Sequence, residues 1–192
     1  MTSKTAVTAA PILDVLAERW SPRSYDETHE LSDKDLLSIL EAGRWAPSAN
    51  NLQPWRFSVA KRGTPLFGQI AGKLSGFNAS WSPKASAYLV VSVLNVTADG
   101  APYPIAPFDA GLAVGNILTQ IQALGLHGHV MAGFDVPGMH AELGLADELT
   151  ALVVLTIGKL APADKLEGGA HDREVAPRER HALADIVLHG KP

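Results

Sequence analysis

The chain has 192 residues, 46% of them hydrophobic and 19% charged, with a formal net charge of −4; this suits one domain with a sizeable core and argues against a disordered chain. The negative balance and the lack of any run of Lys and Arg argue against a general nucleic-acid binder. With no cysteine, disulfides, thiol catalysis, Cys-ligated zinc and iron–sulfur clusters are excluded within the chain, and any redox chemistry must come from a cofactor.

Residues 1–10 carry one Lys and no apolar core long enough for a secretory signal, and are expected as a flexible tail ahead of a single domain spanning residues 11–192. Pro11 suits the first turn of a helix, and Ile12, Leu13, Val15 and Leu16 then repeat at helical spacing up to Glu18. Ser32 with Asp35 three residues on resembles a capping box; the helix it opens runs to about Trp45, because Pro47 disfavours helical geometry in the residue before it. After a polar loop, Arg56 to Ala60 alternates as a strand, Lys61-Arg62-Gly63 reads as a turn, Thr64 to Leu74 as a short helix, and Gly76 to Pro83 as loop. Ala85 to Val96 is almost unrelieved in its apolarity, which predicts a central strand buried on both faces. It is also the longest apolar run, well short of the ~20 residues that span a bilayer, so no membrane partner and a cytoplasmic location are expected.

Thr97 to Phe108 contains three prolines and reads as a loop whose Tyr103 and Phe108 could overhang a pocket. From Asp109, Ala110, Ala113, Val114, Ile117, Leu118, Ile121 and Leu124 recur at three- and four-residue steps, a long helix ended by Gly125. Gly111, Ala113 and Gly115 keep its first half slim enough for another backbone, such as a partner subunit's, to approach. His129 to Met131 is expected as a short strand, Pro137 to Leu143 as a helix ended by Gly144, and Leu149 to Ile157 as the last strand. Ala161 to Arg180 shows no periodicity, so about 161–192 is expected as an extended C-terminal arm with a final short segment at Leu183 to Leu188. Alternating helices and strands of this kind predict an α/β (α+β) sandwich.

The stretch from Trp45 to Phe57 is the most informative. Pro47 and Pro54 punctuate it, and Ser48, Asn50, Asn51 and Gln53 supply the mixed donors and acceptors that a flat heterocycle edged with N–H and C=O groups requires. Upstream, Arg19-x-Ser21-x-Arg23 places three phosphate-compatible groups at alternating positions, which share a side if the segment is extended. No Gly-x-Gly-x-x-Gly follows a strand and no P-loop pattern occurs, so a dedicated dinucleotide fold is unsupported. His127-x-His129 lacks an apparent third ligand or second shell, so no metal site is expected. No Ser-His-Asp set or nucleophile elbow is recognisable.

Pro47-Ser48-Ala49-Asn50-Asn51-Leu52-Gln53-Pro54-Trp55, preceded by Arg19-Trp20-Ser21-Pro22-Arg23 and followed by the blocks at Asp109 to Asp135 and around Arg178 and Arg180, resembles the nitroreductase family of flavin mononucleotide (FMN) enzymes. The resemblance covers nearly the whole chain from about Leu13. It implies a mixed central sheet flanked by helices in an interwoven homodimer, with FMN at the subunit interface. Arg19 and Ser21 would hold the phosphate, and Arg23 would lie at the N1/C2 edge, where a fixed cation favours the reduced ring. Pro47, Ser48 and Asn51 would reach the ring from the other chain, and Gln53 would be a further cofactor-binding residue. Met131, Ala132 and Gly133 would pass beside N5, and Arg178 and Arg180 would complete the phosphate site, with Arg173 as an alternative. Many members have Glu where this chain has Ala132, so no acid near N5 is implied. The implied activity is ping-pong transfer from NADH or NADPH to a small electron-poor acceptor, a nitroaromatic or quinone. The alternatives are an oxidase desaturating a peptide or azoline ring, and a non-catalytic flavin-binding protein.

Overall fold

The structure, a computed structural model, describes residues 4–190; residues 1–3 of the expected tail and 191–192 of the expected arm lie outside the described residues. Among the described residues four strands form one sheet, β1 (Trp55–Lys61), β2 (Ala87–Leu94), β3 (His127–Met131) and β4 (Leu149–Gly158), in the order β1-β2-β4-β3. As its unrelieved apolarity predicted, β2 occupies an inner position and is buried along almost its whole length. Every pairing is antiparallel, which corrects the expectation of a mixed sheet within the chain. β2 and β3 do run the same way, but β4 is inserted between them, so the two like-directed strands never pair. Alternation of helix and strand along the sequence cannot reveal this, because the strand that fills the gap comes last.

Side chains alternate across β2 and divide the core in two. Tyr88 and Val90 face a cluster with Phe67, Ile70, Trp81, Met131, Met139 and Val154, covered by α3 (Pro65–Ala71) and α6 (Val136–Leu143). Leu89, Val91 and Val93 face a second cluster with Ile39, Ile117, Ile121, Leu155 and Ile157, covered by α2 (Asp33–Arg44) and α5 (Ala106–Ala123). Each fully buried side chain of this size contributes about 1.5–3 kcal/mol of apolar transfer. Where α2 crosses α5, a Cβ on Gly43 would meet Ile117 Cδ1 at 2.7 Å, so a glycine there sets how closely the two helices approach.

Local chemistry accounts for the helix ends. Ser32 Oγ accepts from Asp35 N–H at 3.0 Å, and Asp135 caps α6 by accepting from Gly138 N–H at 3.0 Å, while Gly144 ends it with φ +57°. The long helix α5 starts three residues before Asp109, because Pro107 fits its first turn and needs no backbone donor there. The segment Gly76 to Pro83, expected as loop, contains α4 (Gly76–Ala79) and the start of a 3-10 turn at Ser82–Lys84. Before them all, α1 (Asp14–Glu18) is shorter than the apolar spacing from Pro11 predicted.

The termini are more ordered than their composition suggested. Ala6 N–H donates to Ala17 O at 2.8 Å, and Lys4 Nζ donates to Ala176 O at 2.5 Å, so residues 4–6 are docked and not loose. The stretch expected as an aperiodic arm contains α7 (Gly168–Val175), followed by α8 (Leu183–Ile186). A short helix with one buried acid leaves little periodic signal to read. No helix of the described residues is long and apolar enough to cross a membrane.

Candidate functional site

Beyond the C-terminal end of β4 the chain gathers cations. Arg19, Arg178 and Arg180 line one cleft of about 790 Å³, with Ala6 to Ala10 of the N-terminal segment and Ala182 and Leu183 as its apolar walls. Burial first, and then the charges of Arg178 and Arg180, push the Arg19 guanidinium below its ordinary pKa. Ser21 Oγ lies 3.5 Å from Arg19 Nη1, at the limit of a hydrogen bond. Arg178 is fixed by donating to Lys4 O at 2.5 Å and Ala17 O at 2.7 Å, and Arg180 donates to the neighbouring Glu179 O. Among the described residues, none of these arginines forms a salt bridge with a carboxylate. Glu179 also lines the cleft but forms no ion pair among the described residues, and like charges brought together without a paired carboxylate leave donors available to an external anion.

Arg23 points elsewhere. Its guanidinium stands 5.8 Å from the ring centroid of Phe77 and 5.9 Å from that of Trp81, and its Nε is buried without a hydrogen-bond partner among the described residues. Burial lowers its pKa, and Glu174 opposes that shift. Its backbone is held by Glu174, a residue for which the sequence offers no signal. His129 packs tilted against Trp81, ring centroids 4.6 Å apart, and pairs through Nδ1 with Pro22 O at 2.9 Å. Burial, above all, pushes its pKa down to about 4, so the ring is a neutral structural group near neutral pH. His127, flanked edge-on by Trp20, is likewise shifted down by burial.

Met131, Ala132 and Gly133 lie across the α4 turn from Arg23. Met131 is buried while Ala132 and Gly133 are exposed. Ser75 N–H donates to Gly133 O at 3.0 Å, and Asn78 Nδ2 donates to the same oxygen at 3.1 Å. A Cβ at residue 133 would meet Ser75 Oγ at 2.7 Å and Asn78 Nδ2 at 3.0 Å. Within the chain, therefore, the close approach that Gly133 permits is to the α4 turn.

The loop that carries Pro47, Ser48, Asn51 and Gln53 is at the opposite end of the sheet. It leads into Trp55, which pairs with Val93 near the end of β2, whereas Tyr25, two residues after Arg23, bridges Leu160 just past β4. Since Ala87 at the start of β2 pairs with Ile157 at the end of β4, the two groups are separated by the length of β2, roughly 23 Å at about 3.3 Å per residue. Asn50, Asn51 and Gln53 all adopt left-handed conformations, with φ of +49°, +56° and +48°. Asn tolerates this region best among non-glycine residues, yet each instance costs about 1–3 kcal/mol. The surroundings hold the shape. Gln53 N–H donates to Ser48 Oγ at 2.9 Å and Gln53 Nε2 to Asn51 O at 2.9 Å. Ala49 N–H points at both carboxylate oxygens of Asp109, at 3.4 and 3.3 Å.

Asp109 is 2% exposed and also accepts from the Tyr103 hydroxyl, whose pKa is raised to about 12 by that bond first. This corrects two expectations. Tyr103 is buried and braces the loop from beneath, and only Phe108, 68% exposed, is free to overhang anything. Asp109, which in sequence looked like a helix start, is the buried anchor of the loop.

The Nitroreductase family profile matches residues 16–159. A Haemophilus influenzae protein provisionally named an NAD(P)H nitroreductase is 40% identical, the match covering 95% of this chain and 98% of that one. The crystal structure of an oxidoreductase containing FMN superposes with a TM-score of 0.92 at 31% identity, covering 100% of this chain and 98% of the other. A provisionally assigned nitroreductase from Desulfovibrio desulfuricans, solved in complex with FMN, gives a TM-score of 0.75 at 25% identity, covering 96% and 99%. With three quarters of its length matched by the family profile and relatives aligned end to end, this chain belongs to the nitroreductase family.

Proposed function

We propose that the chain is an FMN-dependent oxidoreductase, active as a homodimer, which takes reducing equivalents from NADH or NADPH and delivers them to small electron-poor acceptors such as nitroaromatics and quinones. The observation that carries this reading is the set of arginines without carboxylate partners among the described residues: Arg19, Arg178 and Arg180 on one cleft and, four residues along the chain from Arg19, Arg23 with its orphaned Nε. These donors fit a phosphate and a carbonyl edge on one ligand, the chemistry that FMN offers. The FMN found in two structural relatives supports the same assignment. Bound FMN supplies two-electron transfer, so no side-chain nucleophile or metal is required.

In this reading Arg19, Ser21, Arg178 and Arg180 would hold the phosphate, and Arg23 would supply a fixed positive charge to the ring edge. Met131, Ala132 and Gly133 would lie beside the flavin ring when it is bound, and Ala132 offers no acidic group there. Asn51, with Pro47, Ser48 and Gln53, orients the pyrimidine edge. One flat ring cannot touch both Arg23 and Asn51 within a single chain, because they stand at opposite ends of the sheet. A second copy brings its loop to the first copy's arginines. The face for that copy is the outer side of α5, where a Cβ on Gly111 or Gly115, four residues apart, would meet nothing within 4 Å and where Phe108 is exposed. A cytoplasmic location accords with the use of NAD(P)H.

The visible spectrum of the purified protein, with its mass by light scattering, tests the reading. We expect flavin absorbance and twice the 20.3 kDa chain mass, with NAD(P)H consumed in the presence of menadione above the free-FMN background. Flavin bound tightly by a 20.3 kDa monomer would rule out the two-chain site, and colourless protein that cannot be loaded with FMN would rule out the cofactor.

A further inference from the structure

Glu174 sits in α7 and is 3% exposed. Both oxygens of its carboxylate are used on main chain: Oε2 accepts from Arg23 N–H at 2.7 Å, and Oε1 accepts from Ser24 N–H at 3.2 Å. A buried carboxylate beside an arginine would ordinarily engage the guanidinium through a bidentate pair. Here no salt bridge joins the two among the described residues. The guanidinium instead lies by Phe77 and Trp81 with Nε unpartnered. Arg173, next to Glu174, stands 4.3 Å over the same Phe77 ring, so α7 fixes both the backbone that bears Arg23 and a ring against which its charge rests. Neighbouring pins are uncharged: His129 Nδ1 with Pro22 O at 2.9 Å, and Ser24 Oγ donating to Pro162 O at 2.7 Å. Among these, Glu174 alone bonds to Arg23.

We infer that Glu174 is the positioning residue for Arg23, holding its backbone while leaving its guanidinium unpaired and available to the ring edge of the cofactor; this rests on the FMN reading above. The carboxylate is suited to the role because it presents two acceptors to two consecutive N–H donors. A glutamine would present one acceptor and turn an NH₂ toward the second donor. Burial raises the pKa of Glu174, and the two backbone N–H groups pull it back down, as expected of a carboxylate retained for its geometry in an apolar place.

The test is a double-mutant cycle on FMN-loaded protein with Glu174→Gln and Arg23→Ala, reading the two-electron potential and the FMN dissociation constant. Alone, Glu174→Gln should shift the bound-flavin potential downward and weaken FMN binding roughly tenfold, the value of one charge-assisted hydrogen bond. In the Arg23→Ala background its effect on the potential should disappear, because the residue through which it acts is gone. If Glu174→Gln does not fold, Glu174→Asp, which keeps the charge but falls one methylene short of the two N–H groups, should give the same pattern. An unchanged potential in a folded, flavin-loaded Glu174 variant, or a shift that persists without Arg23, overturns the inference and leaves the FMN reading standing. Wild-type protein that binds no FMN overturns both.

Discussion

The two ends of the sheet handle polar groups in opposite ways. At the β4 end, Arg19, Arg178 and Arg180 line one cleft without a carboxylate pair, and the buried Nε of Arg23, set apart beside Phe77 and Trp81, has no acceptor among the described residues. At the β1 end, the Pro47 to Gln53 loop has its backbone tied by the side chains of Ser48, Gln53 and Asp109, and it bears three left-handed residues. The first end leaves donors unused, as a receiving site for an anion must. The second uses its hydrogen bonds to hold a shape that the backbone would not otherwise keep. In the proposed two-chain site a ligand edge would be met by unpaired charge on one side and by an enforced loop on the other, and substitutions at the two ends should fail in different ways.

The largest effect is expected at the loop's anchor. Asp109→Ala strands the buried Tyr103 hydroxyl and Ala49 N–H, each a loss of roughly 1–3 kcal/mol, so urea unfolding should report about 4 kcal/mol of destabilisation. Loss of less than about 1 kcal/mol would show that the loop holds itself.

Next comes acid sensitivity at the other end. The folded pKa of His129, about 4, is below its ordinary 6.5, so the unfolded chain takes up the proton first as pH falls. The stability held by the neutral ring is complete above pH 6.5 and is lost between there and pH 4, amounting to about 3 kcal/mol. Unfolding free energies for wild type and His129→Gln across that range should converge toward acid; parallel curves would contradict the burial of this ring.

Binding should separate the arginines. Arg19→Ala is expected to weaken FMN by about 2 kcal/mol, or roughly thirtyfold, and to leave the potential of the remaining bound flavin alone. Arg23→Ala should instead lower that potential by tens of millivolts, since ~30 mV corresponds to about 1.4 kcal/mol in a two-electron couple. Titration against a reference dye, beside the dissociation constant, distinguishes them, and matching potentials in wild type and Arg23→Ala would place a different cation at the ring. The smallest effect concerns backbone shape: Asn50→Gly should change stability by no more than about 1 kcal/mol, whereas Asn50→Val should cost clearly more, because a β-branched residue resists φ near +49°.

Much of the molecule could be read from residue order alone. Unbroken apolarity named β2 as central, three- and four-residue spacing named α5, the Ser32–Asp35 pattern opened α2, and Gly125 and Gly144 marked ends that left-handed glycines do occupy. These signals are local, set by the period of one element or the φ of one residue. Arginines and turn formers in ordered blocks were also enough to point to the family. What tertiary structure alone decided is whatever depends on residues far apart in the chain. Inserting β4 between β2 and β3 made the sheet antiparallel. Docking of Lys4 and Ala6 turned an apparently loose tail into the wall of a cleft. Asp109 changed from helix start to loop anchor because a loop 60 residues earlier folds onto it, and Glu174 gained its place by reaching back 151 residues to Arg23. A buried carboxylate with two remote backbone donors has no sequence period, and its energetic reason exists only once folding has removed water from around it.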